Sequence, residues 1–262
     1  MIDHNFEYKF EKTDIEQALK KLMNQVYYDK SNTNLHLRAN LTEELAKSGF
    51  DKICNRVNRL LTNKKHRDDF LEKLNDQINY KVIPKSAISE EFESSKQYLS
   101  NNRSADKYMV KDVNLMIEAP IEIHVLSVLW VMKFGVHLDS MLSDTCYGNR
   151  LLLDKETENK PEIKSGRALL KPYIHQYQKW RDEGIRKAKH HLEEDDNTAF
   201  VNLDISSYYY HVRVNWDGLE SKLQIAEKTC NELKQVNYII RYVYQIYTAL
   251  IKKDYPNKCG FE

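Results

Sequence analysis

Glycine is scarce, with 7 in 262 residues. Antiparallel sandwiches and glycine-rich nucleotide loops both draw on more, so the composition leans towards helix. The cysteines number 4, at Cys54, Cys146, Cys230 and Cys259. They are widely spaced and form no Cys-x-x-Cys pair, which argues against a zinc site. Net charge is nearly absent, because 40 Lys and Arg face 39 Asp and Glu, a formal charge of +1. That balance neither demands nor forbids a nucleic-acid partner, and a basic groove has to come from local segregation. No charged-then-apolar leader opens the chain, so no signal peptide is expected. The most apolar stretch, Ile121 to Val136, is interrupted by Glu122, His124 and Lys133 and reads as too short to span a bilayer. The expectation is a cytoplasmic protein with reduced thiols and no membrane partner.

What is present suffices for a packed core. Hydrophobic residues make up 41% and charged residues 30%, which excludes global disorder and allows one large domain or two small ones. Tyrosine is abundant at 17. Its ring stacks on bases, but it is equally an ordinary core residue with a polar tip.

The N-terminal part reads as helices. Ile15, Leu19, Leu22, Met23 and Val26 fall on one face at helical spacing. Thr42, followed by Glu43 and Glu44, suits the start of a second helix. Ile53, Val57, Leu60 and Leu61 continue the pattern, and Phe70, Leu71, Leu74 and Ile78 form a further face that Pro84 ends. Residues 86–106, rich in Ser, Asn, Glu and Lys, read as a mobile connection or frayed helix. Tyr108 to Ile117 reads as extended. Pro120 then suits a helix start, and the helix to about Leu142 is apolar nearly all round, hence buried. Cys146 to Leu153 is a loop, residues 154–167 a polar linker, and Lys171 to Glu194 a long helix with Tyr173, Tyr177, Trp180 and Ile185 towards one side. A short strand is expected from Ala199 to Ile205. Leu219 to Lys253 is mostly helical, with an apolar face through Ile239, Val243 and Tyr247.

The segment Phe200-Val201-Asn202-Leu203-Asp204-Ile205-Ser206-Ser207-Tyr208-Tyr209-Tyr210-His211-Val212 carries the chemistry. A carboxylate at the C-terminal end of a buried strand is rigidly held yet open to solvent, which suits Mg²⁺, a cation that takes one or two carboxylates plus phosphate oxygens and water. An Asp in this position also caps the following turn, and the residues alone leave both roles open.

The segment resembles motif A of reverse transcriptases, with the pattern D-I-x-x-[YF]-[YF]-x-x-[IV] occupied by Asp204, Ile205, Tyr208, Tyr209 and Val212. The resemblance implies that Asp204 binds the two catalytic Mg²⁺ ions, that the Ile205 carbonyl helps hold one, and that Tyr209 is the steric gate against a 2′-OH. Upstream, Glu118-Ala119-Pro120-Ile121-Glu122-Ile123-His124, a Leu-Trp pair, a Phe-Gly pair and Cys146-Tyr147-Gly148-Asn149-Arg150-Leu151 are similar to the fingers that precede motif A. The Tyr-Gly-Asn-Arg loop, with Tyr177, Trp180 and Arg181 in the next helix, looks most like the abortive-infection and defence-associated prokaryotic reverse transcriptases. The likeness covers about residues 108–214. Fingers of this family place Lys or Arg against the triphosphate, where fixed charge offsets developing charge on pyrophosphate. Arg103, Lys107, Lys111 and Arg150 stand in the right region, and Lys111 and Arg150 are the nucleotide-binding candidates alongside Tyr209.

The implied architecture is α+β and helix-rich: a helical region over 1–106, fingers over 107–198, and the first part of a right-hand polymerase palm over 199–262. The implied reaction is Mg²⁺-dependent addition of dNTPs to a 3′ end, with an RNA template and a DNA or protein primer as partners. One element is missing. Two-metal transfer, with ions about 3.5–4 Å apart, needs more than one carboxylate. The Asp68-Asp69 and Asp195-Asp196 pairs do not follow an aromatic residue between strands, so both read as surface charge. The chain by itself is therefore expected to be inactive. Two other readings stand beside this one. One is a non-catalytic nucleic-acid-binding module that stacks bases on tyrosines. The other is a helical ribonuclease using Arg186 and His191, with Arg on phosphate and His as acid or base.

Overall fold

Helical periodicity sets most of the architecture. The computed structural model describes residues 8–28, 35–88, 109–154, 162–166, 168–194, 199, 201 and 213–255. Helix α1 spans Lys12–Tyr28 and buries Ile15, Ala18, Leu19, Leu22 and Val26, a stripe at i, i+3, i+4 and i+7. Helices α2 (Leu35–Ser48), α3 (Phe50–Thr62) and α4 (Lys64–Gln77) follow with one-residue connections. Gly49 makes the first of these turns at φ 77°, a conformation that costs glycine nothing. Asn63 serves two helices: its backbone ends α3, and its side chain accepts from the His66 amide to cap α4.

Thr42 does not open a helix. It lies in the middle of α2, where its hydroxyl donates to the Arg38 carbonyl at 2.8 Å, the usual outlet for a mid-helix threonine. The acidic pair behind it is used in cross-links, Glu43 to Lys47 and Glu44 to Arg56.

The helical reading of the first 106 residues breaks at Ile78. Strand β1 (Asn79–Ile88) pairs antiparallel with β2 (Met109–Glu118), Asn79 opposite Glu118 and Lys81 opposite Met116. The segment expected to be mobile or frayed from residue 86 is therefore strand as far as Ile88, and residues 89–106 lie outside the described part. Pro84 ends no helix, since α4 has already stopped at Gln77. It sits inside β1 opposite Val113, where the register shifts, an irregularity that suits a residue without an N–H. The extended reading of residues 108–117 agrees with β2 from Met109 onwards, and Tyr108 lies outside the described residues. The base of the hairpin rests on the last helix, where the Tyr247 hydroxyl donates to the Leu115 carbonyl at 2.9 Å and the Tyr80 hydroxyl to Asp254 at 2.8 Å.

Helix α5 (Ile121–Trp130) starts directly after Pro120 and runs through a π-helical turn (Val131–Gly135) into α6 (Val136–Ser140). Ile123, Val125, Leu126, Leu129, Phe134 and Val136 are buried right round the axis, so this is the core helix. It ends two residues short of the expected Leu142. It packs against α1, α3 and the C-terminal helix. By length and composition alone, Ile121–Ser140 is the one helix among the described residues that is able to cross a membrane. In this fold it is the centre of the core.

The remaining helices are α7 (Tyr173–Glu194), α8 (Trp216–Leu223), α9 (Ile225–Lys228) and α10 (Asn231–Asp254). Of the strand expected over 199–205, only Ala199 and Val201 are described, and neither is in a strand. Helix α10 buries Leu233, Val236, Ile239 and Val243. A polar chain joins it to its neighbours. The Trp130 indole donates to Asn237 at 3.0 Å, the Asn237 amide donates to Glu220 at 2.8 Å, and Arg241 lies 3.2 Å from Glu220 and 2.9 Å from Asp217. Asn237, the buried member of that chain, has a partner on each side of its amide, which is what permits it inside the core. Arg56 makes the matching tie on the other side, 2.5 Å from Glu122 on α5 and 2.8 Å from Glu44 on α2. The fold is thus α+β and helix-rich, with a single two-stranded sheet among the described residues.

Candidate functional site

Of the sequence-derived site residues, the structure positions one side chain. Asp204, Ile205 and Tyr209 lie outside the described residues. Lys111 lies in β2, but its side chain is outside the described part. Arg150 is described in full, and its guanidinium is engaged within its own loop.

The loop begins where α6 ends. Asp139, on the last turn of α6, accepts through Oδ1 from Arg150 Nε at 3.1 Å and from the Leu151 amide at 3.0 Å. Arg150 Nη1 donates to the Ser143 and Cys146 carbonyls, each at 3.0 Å, and Nη2 to the Asp139 carbonyl at 3.3 Å. The two side chains are 5% and 11% exposed for Asp139 and Arg150. The planar fork of the guanidinium suits this work, since its donors reach several carbonyls at once. Asn149 takes the left-handed turn at φ 50°, which Asn tolerates better than most residues. Arg150 is therefore a strut that closes residues 139–151. Asp139 Oδ2 is buried without a hydrogen-bond partner.

The strut also places the next helix. The Lys171 amide donates to the Arg150 carbonyl at 2.9 Å, and the Leu152 amide to the Leu169 carbonyl at 2.9 Å. Leu151 bridges Leu170, and Leu153 bridges Ile163. Behind this ribbon stands Lys21, almost fully buried on α1. Its ammonium donates to the carbonyls of Lys164 (3.1 Å), Gly166 (2.9 Å) and Ala168 (2.8 Å). Burial lowers the Lys21 pKa from the ordinary lysine value, while the three carbonyl oxygens favour the charged form. Gly166 turns at φ 103° to aim its oxygen there. Sequence reasoning missed this cage and the Asp139 partner. The available signals were a lysine flanking the apolar stripe of α1 and an aspartate at the end of an apolar helix.

His137, two residues before Asp139, is buried edge-on to the Tyr8 ring at 4.8 Å. Burial pushes its pKa down to about 4. The unfolded chain takes up this proton near the ordinary histidine value and the folded one does not. Stability from this group is thus complete above about pH 6.5 and is lost as pH falls towards 4, by about 3 kcal/mol. Urea melts at pH 7 and pH 4.5 check this. His137→Leu should lose markedly less stability between the two than wild type, and equal losses would contradict the burial argument.

Helix α7 differs from the other long helices in that none of its residues is buried. Tyr173, Tyr177 and Trp180 are 76%, 46% and 49% exposed. Their rings form a ladder, Tyr173 to Tyr177 at 6.1 Å between centroids and Tyr177 to Trp180 at 5.7 Å. Lys179 places its ammonium 5.7 Å from the Tyr147 ring centroid. The Arg186 and His191 pair of the ribonuclease reading also sits here. Arg186 is salt-bridged to Glu183 at 2.6 Å and His191 lies 3.8 Å from Glu194. Five residues apart on a helix, the two point about 140° away from each other.

Among the described residues no group of three or more His, Cys, Asp or Glu side chains is arranged to hold a metal ion. Asp68 and Asp69 are exposed on α4, as expected of surface charge, and Asp195 and Asp196 lie outside the described residues. No family model, no curated protein and no solved structure matches this chain.

Proposed function

We propose that this chain is the fingers and the first palm segment of a Mg²⁺-dependent RNA-directed DNA polymerase of the defence-associated kind. The observation that carries the reading is an order of parts. A buried helix bearing Trp130 leads into an Arg150-closed Tyr-Gly-Asn-Arg loop. The loop fixes the start of α7, and α7 leads to the Asp204-Ile205-Ser206-Ser207-Tyr208-Tyr209 stretch. The β1–β2 hairpin bearing Lys111 stands before the buried helix, which supports its reading as a fingers element. In this proposal Asp204 and the Ile205 carbonyl hold Mg²⁺, Tyr209 faces the sugar, and Lys111 faces the triphosphate. The ions supply charge neutralisation for nucleotidyl transfer. One carboxylate does not complete a two-metal site, so the reading requires further carboxylates from another segment or chain.

The test is dNTP incorporation on an RNA template, with and without Mg²⁺, by the polypeptide encoded by the complete reading frame. Asp204→Asn should drop incorporation to background, a loss on the order of a thousandfold or more for a group acting on the transition state. Incorporation that survives Asp204→Asn, or a wild-type polypeptide inert on every template and primer offered, would sink the reading.

A further inference from the structure

We propose that the exposed face of α7 is a binding face for single-stranded nucleic acid, with Tyr173, Tyr177 and Trp180 as the stacking ladder. The inference rests on α7 and not on the polymerase reading.

The first support is the ladder itself. Three aromatic rings at i, i+4 and i+7 lie on one side of a helix, each close to half exposed or more. Aromatic rings left in solvent at such spacing offer faces to bases, and base–aromatic stacking tolerates any sequence because every base has a π-face. Gly184 continues the same side one turn on, and nothing lies within 4 Å of where its Cβ would be. A glycine inside a helix costs about 1 kcal/mol relative to alanine, and here it leaves room for a close backbone approach.

The second support is charge. From Lys171 to the end of α7 at Glu194 the sequence holds Lys171, Lys179, Arg181, Arg186, Lys187 and Lys189 against Asp182, Glu183, Glu193 and Glu194. Asp182 and Glu183 are taken up by Arg181 at 2.8 Å and Arg186 at 2.6 Å, and Glu194 faces His190 and His191. Lys171, Lys187 and Lys189 remain to answer phosphates beside Lys179, whose ammonium lies over the Tyr147 ring, and Lys187 shares the ladder side of the helix. The positive excess thus lies on the part of the helix that carries the rings, with Glu193 and Glu194 more than three turns beyond Trp180, the local segregation that a polyanion needs. Ile174, Ile185 and Leu192 form an apolar shoulder beside the ladder. A second copy docking there would set one lysine-rich face against another, a like-charge opposition that nucleic acid avoids.

The experiment is fluorescence anisotropy of labelled oligo-dT and oligo-rU, and of a duplex of equal length, with the full chain across a salt series. Wild type should bind the single strands more tightly than the duplex, with affinity falling as salt rises. The Tyr173→Ala/Tyr177→Ala/Trp180→Ala variant should lose roughly a hundredfold in affinity or more. Its thermal melt should be unchanged, because the three side chains are exposed. Lys179→Glu/Lys187→Glu should weaken binding and flatten the salt slope by about 1–2. Single-strand binding should persist in EDTA, which separates this face from the Mg²⁺-dependent polymerase reading. An aromatic variant that binds as wild type does, or preferential binding of the duplex, overturns the proposal. So does a wild type that ignores oligonucleotides but self-associates by light scattering while the aromatic variant is monomeric.

Discussion

Asp139→Ala is expected to lower folding stability by about 3–5 kcal/mol, the cost of stripping one partner from a buried ion pair. The magnitude follows from what remains. Arg150, only 11% exposed, keeps its carbonyl contacts but loses its counter-charge, and the Leu151 amide loses its acceptor. Asp139→Asn keeps an acceptor for both and should cost much less, about 1–2 kcal/mol. A paired Asp139→Leu/Arg150→Met replacement should recover much of the alanine loss, since no charge is then left buried. Urea unfolding of the three variants decides this, and an alanine variant within about 1 kcal/mol of wild type would show that the strut does not hold the loop. The same variant separates two roles for Arg150. If Arg150 acts only through the loop, nucleotide affinity and stability fall together. If the guanidinium leaves Asp139 to meet a triphosphate, Asp139→Ala loses stability while nucleotide binding is retained.

The contrast between α3 and β1 shows what the sequence made legible. Ile53, Val57, Leu60 and Leu61 repeat at 3.6 residues and all four are buried, because helix formation and burial depend on the same local spacing. The core helix and α10 were legible for that reason. Strand β1 was not: it has Pro84 in its middle, and its ladder is supplied by β2, beginning at Met109. Pairing over that distance leaves no mark in a local window. The site divides in the same way. Arg150 was legible as a residue of interest through its motif, whereas its bonds to Asp139, Ser143 and Cys146 are tertiary facts. The amphipathic pattern of α7 was legible too, but pattern alone does not say whether a face is covered, and here the rings stand in solvent. For Asp204, Ile205 and Tyr209 the motif remains the only basis of their assignment.

Lys21→Met should cost about 2–4 kcal/mol, because it keeps most of the buried stem and removes three charge-assisted hydrogen bonds at once. The lower bound reflects the exposure of Gly166, which lets water replace part of what the ammonium gives. The upper bound reflects the three inward-turned carbonyls of residues 164, 166 and 168, each of which then lacks its donor. Lys21→Arg should not rescue, since a planar fork does not reproduce a point charge ringed by three oxygens. The loss should be local before it is global. The ribbon that pairs Leu151 with Leu170 and Leu153 with Ile163 is held to the body through this ammonium, and the Lys171 amide that starts α7 hangs from the same ribbon. Hydrogen exchange should therefore accelerate first at the Leu152, Lys164 and Lys171 amides, while α3 and α5 amides stay protected. Uniform acceleration across the chain would instead mean that Lys21 stabilises the core as a whole. If α7 carries single strands, Lys21→Met should also weaken oligonucleotide binding without touching any ring or lysine on the binding face, because the helix would no longer be held at its root.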